Sequence, residues 1–114
     1  FGKKPGRKSS KDRKRELEQR RRKGVMLAWE EERKLIEDGK AGTRFWTDEE
    51  KAELRATGKV KGYVGHHINS VSTHPELADV PENIRFVDSI EHLDAHGGNY
   101  HNPTQGKLVS RTIL

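Results

Sequence analysis

The pattern of hydrophobic and polar positions predicts three helices and two short strands. Residues 11–38 are mostly strong helix formers, and Ser10 is a suitable N-cap with Asp12 in the first turn. Gly24 lies inside this stretch and predicts a break in the helix. The second half carries an apolar stripe at helical spacing, which predicts a face that packs on the rest of the domain. That stripe consists of Val25, Ala28, Trp29, Leu35 and Ile36.

A second helix and a following strand are predicted between residues 47 and 68. Thr47 and Glu50 have the spacing of a capping box, in which each side chain pairs with the backbone amide of the other. The helix is expected to run to Thr57 and to end at Gly58, with Trp46 as a packing anchor beside it. Residues 60–68 are strand-like, and a loop over residues 69–82 follows.

The remaining pattern completes an α+β fold. Residues 84–87 alternate in part and predict a second short strand. Asp88 or Ser89 can cap a helix that continues through His96, and Gly97-Gly98 ends it. The order from residue 60 onward is therefore strand, long loop, strand and helix.

Composition predicts a small core that needs support from a metal or a partner. Of 114 residues, 30% are hydrophobic and 36% are charged. Cysteine is absent, so a metal would have to be bound by His, Asp or Glu. No apolar run approaches the roughly 20 residues of a membrane span, and no signal peptide is evident. Because the first residue is Phe, we expect a piece of a longer or processed protein.

The positive charge is concentrated at the N-terminus. Residues 1–23 contain 12 Lys or Arg against 3 acidic residues, whereas residues 41–114 contain 8 against 10. We therefore predict a basic, mostly helical arm over residues 1–40, with a disordered lead-in over residues 1–10, and a separate domain over residues 41–114. The arm, with Arg20, Arg21 and Arg22, either contacts the phosphate backbone of nucleic acid or serves as a linker.

Four of the six histidines form two groups that suit a metal site. His92 and His96 are spaced i, i+4, which places both rings on one helical face. His66 and His67 are adjacent on a strand, so their side chains point to opposite sides. One of this pair can be a third metal ligand while the other does a different task. Three protein ligands and an open position are typical of a catalytic metal.

These residues resemble the His-Asn-His, or ββα-metal, nuclease motif. The resemblance rests on three segments: Gly65-His66-His67-Ile68, Glu82-Asn83-Ile84-Arg85-Phe86-Val87 and Glu91-His92-Leu93-Asp94-Ala95-His96. It is similar to nuclease colicins and pyocins, and more so to bacterial polymorphic-toxin nuclease domains with a Gly-His-His signature. It covers about residues 44–111 and leaves out the arm.

The resemblance implies a two-stranded antiparallel hairpin and a helix around one divalent metal ion. It implies that His66, His92 and His96 are the metal ligands and that His67 is the general base. Asn83 would hold the loop between the strands through hydrogen bonds to backbone. Among the arginines, Arg44, Arg85 and Arg111 are candidates to bind phosphate. Three His ligands suit Zn²⁺ or Ni²⁺, with Mg²⁺ or Mn²⁺ as alternatives for turnover.

The activity that follows from the resemblance is phosphodiester hydrolysis of DNA. The chain would be the C-terminal toxin domain of a larger secreted bacterial protein. It would act in the cytoplasm of a competitor cell and be neutralised by an immunity protein.

Three other functions remain open at this point. The same scaffold can cleave RNA, or it can belong to a site-specific homing or phage nuclease. It can also be a non-catalytic nucleic-acid-binding module, in which His74 or His101 closes a structural metal site as a fourth ligand.

Overall fold

The computed structural model of the protein describes residues 9–111. Its elements are α1 (Ser10–Glu37), α2 (Asp48–Thr57), β1 (Val64–His67), β2 (Ile84–Val87) and α3 (Ser89–Ala95), and two 3₁₀ turns (Pro75–Leu77 and Pro81–Asn83) lie between the strands. This is a small α+β fold, as predicted. Residues 1–8 of the predicted lead-in and the apolar Ile113 and Leu114 lie outside the described residues.

Helix α1 is continuous, and the predicted break at Gly24 is wrong. Gly24 is buried within the helix. A Cβ atom at this position would overlap the carbonyl oxygen of Ala78 and lie 3.1 Å from the Cα of Asp79. Gly24 therefore permits a close approach between helix and loop rather than a turn. The predicted cap also differs by one residue, because the Ser9 side chain accepts the Asp12 amide.

Helices α2 and α3 begin with the predicted kind of cap. Thr47 and Glu50 form both hydrogen bonds of a capping box, and Gly58 ends α2 with a φ of 84°. Asp88 caps α3 and forms a second capping box with Glu91. Helix α3 ends one residue earlier than predicted, at Ala95, and His96 is its C-cap.

The two strands form an antiparallel hairpin in which Gly65 pairs with Phe86 and His66 pairs with Arg85. Strand β1 is shorter than the predicted range of residues 60–68. The Tyr63 amide donates to the Val60 carbonyl at 3.2 Å, and Gly62 has a φ of 89°, so a turn replaces the strand there.

Each face of the hairpin has a different neighbour. Directly paired residues share a face, so Gly65, His67, Ile84 and Phe86 lie together, and His66 and Arg85 lie opposite them. Helix α1 covers the first face, where Trp29 stacks on Phe86 with ring centroids 4.0 Å apart.

One hydrophobic cluster contains residues from the predicted arm, residues 1–40, and from the part of the chain that follows it. Trp46 belongs to this cluster and is only 1% exposed, which confirms its predicted role as a packing anchor. The predicted apolar stripe of α1 also faces this core. The cluster consists of Ala28, Trp29, Ile36, Trp46, Leu54, Val60, Ile84 and Phe86.

A buried polar network lies beside this cluster. The Glu32 carboxylate is fully buried and accepts hydrogen bonds from Thr43, from the Trp46 indole at 2.8 Å and from Arg111 at 3.1 Å. Arg111 also donates to the carbonyls of Pro81 and Ile84. The network thus ties the C-terminal segment to α1 and to the start of β2.

Candidate metal centre and active site

Three histidine side chains converge between the hairpin and α3. His66 comes from β1, whereas His92 lies on α3 and His96 directly follows it. Their nitrogen atoms can all lie within 4.8 Å of one another. The three ring centroids are 5.0 to 5.1 Å apart, so the rings surround one point. Among the described residues this is the only group with such geometry.

The orientation of His96 leaves one ring nitrogen free for a metal. Its Nδ1 lies 2.8 Å from the carbonyl oxygen of Asn102, and the Asn102 amide donates back to the His96 carbonyl at 2.9 Å. Because a carbonyl can only accept, Nδ1 must carry the hydrogen, and Nε2 keeps its lone pair. Backbone hydrogen bonds of this kind orient metal-binding histidines in proteins.

Electrostatics favour a neutral His66. The side chain is 4% exposed, and burial together with the neighbouring His92 and His96 lowers its pKa to about 4. Burial also lowers the pKa of His92. Neutral imidazoles are the form that binds a divalent ion, so these residues fit the proposed ligand set.

His67 lies on the opposite face of the hairpin from His66. Its Nε2 is 2.9 Å from the carbonyl oxygen of Ala78, so Nε2 carries the hydrogen and Nδ1 is left as an acceptor. Burial is the main cause that lowers the pKa of His67, and the hydrogen bond to Ala78 opposes it. A neutral His with a free nitrogen has the form that a general base requires.

Asn83 holds together the loop that carries Ala78. Its side chain is fully buried. The Oδ1 atom accepts from the Asn69 amide at 2.9 Å, and Nδ2 donates to the carbonyls of Asn69 at 3.1 Å and Leu77 at 3.3 Å. These bonds join the two ends of the loop between the strands. They also hold Leu77, the residue before Ala78, whose carbonyl accepts the hydrogen bond from His67.

The histidines line a cleft of about 440 Å³. His66, His67, His92 and His96 all contribute to its wall, together with Lys14 and Arg21 from the N-terminal half of α1. The cleft thus combines the three converging histidines, His67 and two cationic side chains of α1, with Glu18 as an acidic residue between them.

Comparison with known proteins gives a family for this arrangement. Residues 11–88 match the family described as "GHH signature containing HNH/Endo VII superfamily nuclease toxin". The chain belongs to this family.

The Gly-His-His family match begins in α1, so the expected extent of residues 44–111 was wrong at its N-terminal end. The packing of Trp29 on Phe86 gives the physical reason, because α1 supplies part of the core. The match ends at residue 88, and His92 and His96 therefore enter the site on the geometry alone.

Curated relatives of this Gly-His-His domain include animal teneurins. Teneurin-3 of Mus musculus is 44% identical over 75 residues, which cover 66% of this chain and 3% of the teneurin. Teneurin-m of Drosophila melanogaster is 34% identical over 96 residues, covering 84% of this chain and 4% of the teneurin. The chain therefore spans only a few per cent of the length of these relatives.

Two of the candidate arginines, Arg44 and Arg111, form hydrogen bonds within the protein. Arg111 is buried, and its guanidinium pairs with Glu32 and with two backbone carbonyls. Arg44 donates to the Phe86 carbonyl and to Glu91, both at 2.9 Å, and its guanidinium carbon lies 4.3 Å from the centre of the Tyr63 ring. The Arg111 side chain is only 1% exposed, which leaves no surface for a phosphate, whereas that of Arg44 is 24% exposed.

Arg85 remains a candidate. It is exposed, and it pairs with His66 in the hairpin register, so both lie on the face that carries the candidate metal site. It also lines a second opening beside His66.

Arg20, Arg21 and Arg22 differ in their surroundings. Arg20 forms an ion pair with Asp79 at 3.1 Å and is partly buried. Arg21 pairs with Glu18 at 3.1 Å and lines the cleft, while Arg22 is more exposed. Of the three, Arg21 is the one that faces the histidines.

The other two histidines do not join the metal centre. His74 Nδ1 lies 3.3 Å from a carboxylate oxygen of Glu76. His101 lines the cleft but falls outside the group of converging nitrogens. Within residues 9–111 no fourth protein ligand completes the site, which a closed structural metal would require.

Two residues, Glu32 and Tyr100, were not predicted from the sequence to take part. Glu32 falls at helical spacing from Ala28 and Trp29, so the pattern could have placed this carboxylate inside. The Tyr100 ring packs beside His92 and His96, with centroids 5.0 and 5.7 Å away. No local pattern predicts that contact, because a loop brings Tyr100 back over α3.

No helix within residues 9–111 is both long enough and apolar enough to cross a membrane.

Proposed function

We propose that this domain is a divalent-metal-dependent endonuclease that hydrolyses phosphodiester bonds of DNA. The observation that carries the proposal is the convergence of His66, His92 and His96, with His67 lining the same cleft. Membership of a nuclease-toxin family supports the reaction class.

The three converging histidines would hold the ion, and His67 would act beside it. When bound, a divalent ion supplies Lewis-acid polarisation of a phosphoryl oxygen and stabilises the departing 3′ oxygen. His67 Nδ1 takes a proton from a water molecule while the oxygen of that water forms a bond to phosphorus. The bond from phosphorus to the 3′ oxygen then breaks. General-base help of this kind contributes typically about 10²–10⁴-fold.

Other residues position the reacting groups. Asn83 and Ala78 orient the His67 ring through the loop between the strands. Arg85, on the same face as His66, and Arg21, in the cleft wall, would neutralise phosphates of the bound strand. We also include the second half of α1 in the catalytic unit, because this part of the helix packs in the hydrophobic core.

Plasmid nicking with EDTA, followed by add-back of single metal ions, tests the proposal. We expect no cleavage in EDTA and restored cleavage with at least one of Zn²⁺, Ni²⁺, Mg²⁺ and Mn²⁺. A parallel incubation with total RNA distinguishes a DNA-cleaving from an RNA-cleaving enzyme. A sample that binds metal but cleaves neither substrate with any of these ions contradicts a nuclease.

The biological setting that we propose is a toxin. The domain would be the effector end of a larger secreted bacterial protein, act in the cytoplasm of a target cell and bind a cognate immunity protein. The family description as a nuclease toxin supports the effector role. Cytoplasmic expression of the wild type should reduce bacterial survival, whereas the His67→Ala variant should be tolerated. Equal survival with both contradicts the toxin role.

A further inference from the structure

A second cavity adjoins the cleft on the α1 side of the hairpin. It has a volume of about 630 Å³ and lies between α1 and the C-terminal end of α2. We name it the α1–α2 groove. The groove and the cleft share four lining residues, namely Glu18, Arg21, Gly65 and His67. A chain that passes His67 in the cleft can therefore continue directly into the groove.

The floor of the groove is apolar. Val25, Met26 and Trp29 line it, and Met26 is 51% exposed although it is a large hydrophobic residue. Such surface is suited to the face of a nucleobase, because stacking and apolar contact do not depend on base identity.

The rim of the groove is cationic. Arg21, Arg22, Arg33 and Lys59 line it against two carboxylates, Glu18 and Glu30, which leaves an excess of two positive charges. Arg33 is fixed by a hydrogen bond of 2.6 Å to the Arg55 carbonyl, and its buried Nε has no acceptor among residues 9–111. An anionic ligand in the groove is therefore favoured over a neutral one.

We propose that the α1–α2 groove holds a nucleoside of the cleaved strand next to the scissile phosphate. Met26 contacts the base, Trp29 supports the groove from the core beneath, and Arg22 and Lys59 lie by the adjoining phosphate. The combination of an apolar floor and a basic rim is the chemistry by which proteins bind single-stranded nucleic acid. This proposal rests on the proposed nuclease function, since a polymer bound at His67 must extend on at least one side of it.

Photocross-linking locates the bound strand without any need for cleavage. The full chain in EDTA is mixed with a single-stranded oligodeoxynucleotide that carries 5-iododeoxyuridine, irradiated and digested for mass spectrometry. We expect a cross-link in the peptide that contains Met26 and Trp29. A cross-link confined to other peptides overturns the proposal.

A matched pair of charge reversals tests the rim. Lys59→Glu should weaken binding of the oligonucleotide in EDTA by about tenfold, measured by fluorescence anisotropy. Lys61→Glu is the control, because Lys61 is also exposed, lies two residues further along the chain and does not line the groove. Equal losses in the two variants, or displacement of the oligonucleotide by polyglutamate, overturn the proposal.

The two proposals can fail separately. Metal-dependent plasmid nicking without a cross-link in the groove overturns the groove proposal and leaves the nuclease intact. A cross-link in the groove without nicking under any metal supports nucleic-acid binding there and contradicts the nuclease.

Discussion

Gly24 and His67 meet at a single backbone atom, the carbonyl oxygen of Ala78. His67 donates its Nε2–H to this oxygen at 2.9 Å. Gly24 faces the same oxygen, because a Cβ atom added to Gly24 would overlap it. Helix α1 thus fixes the acceptor that orients the proposed general base. Through this contact the arm helix lies beside the site, although none of the three converging histidines belongs to it.

Gly24→Ala is predicted to damage both stability and turnover. In an exposed helix the change to Ala stabilises by about 1 kcal/mol, but here the added Cβ collides with backbone. We expect the free energy of unfolding to fall by at least about 1 kcal/mol in urea titrations. kcat should fall as well, while metal content stays unchanged. Gln19→Ala on the exposed surface of α1 is the control, and a more stable Gly24→Ala variant contradicts the contact.

Loss of Arg111 is predicted to destabilise the fold strongly. Arg111→Ala leaves the Glu32 carboxylate buried without its cation, which costs about 3–5 kcal/mol in comparable sites. The double variant Glu32→Leu/Arg111→Met should recover only part of this loss, because it removes both charges but leaves the Trp46 indole and the Thr43 amide without their acceptor. Thermal and urea unfolding measure the effect, and Lys107→Ala on the exposed tail is the control. Similar stability of Arg111→Ala and Lys107→Ala excludes the ion pair as a structural element.

The sequence predicts the site better than the packing around it. His92 and His96 are brought together by helical spacing alone, and the cap at Asp88 fixes where that helix starts. Local patterns therefore bring His92 and His96 together, whereas His66 joins them only through the packing of the hairpin against α3. They do not distinguish a surface arginine from Arg111, whose burial depends on Glu32, 79 residues away. Nor do they show that Gly24 faces a loop rather than ending a helix.

His67→Ala and His92→Ala are predicted to separate turnover from metal binding. His67→Ala should retain the ion and lose about 10²–10⁴-fold in kcat. His92→Ala removes one of three ligands and should lose both the ion and activity. Metal content after dialysis and plasmid nicking measure the two effects. His74→Ala, which changes a histidine outside the cluster, should resemble the wild type. Loss of the ion in His67→Ala, with retention in a His66→Ala variant, reverses the assigned roles.

The metal-free protein is predicted to lose stability as pH falls below about 6.5. The pKa of His66 is lowered to about 4 in the folded state, whereas an unfolded His has a pKa of about 6.5. Between these values the unfolded chain binds more protons, so acid favours unfolding. The loss from this residue should reach about 2 kcal/mol at pH about 5, above the range in which carboxylates titrate.

Urea unfolding in EDTA between pH 5 and 7 measures this loss. His67 and His92, whose pKa values are also lowered, act in the same direction. His66→Gln should therefore have a shallower dependence on pH but keep part of it. A free energy of unfolding that is constant across this range contradicts a buried, neutral His66.

Arg21 and Arg20 are predicted to differ in their effect on nucleic-acid binding. Arg21 lines the cleft and its pair with Glu18 is more exposed than that of Arg20 with Asp79, so Arg21→Gln should reduce the slope of log affinity against log salt by about 1. Arg20 is already paired with Asp79 and donates to the Glu76 carbonyl, so Arg20→Gln should affect the slope less and loosen the loop instead. Anisotropy titrations of labelled DNA at several salt concentrations, in EDTA, measure the slopes. Unchanged slopes in both variants favour a linker role for the arm, because a helix that contacts phosphate must release counterions.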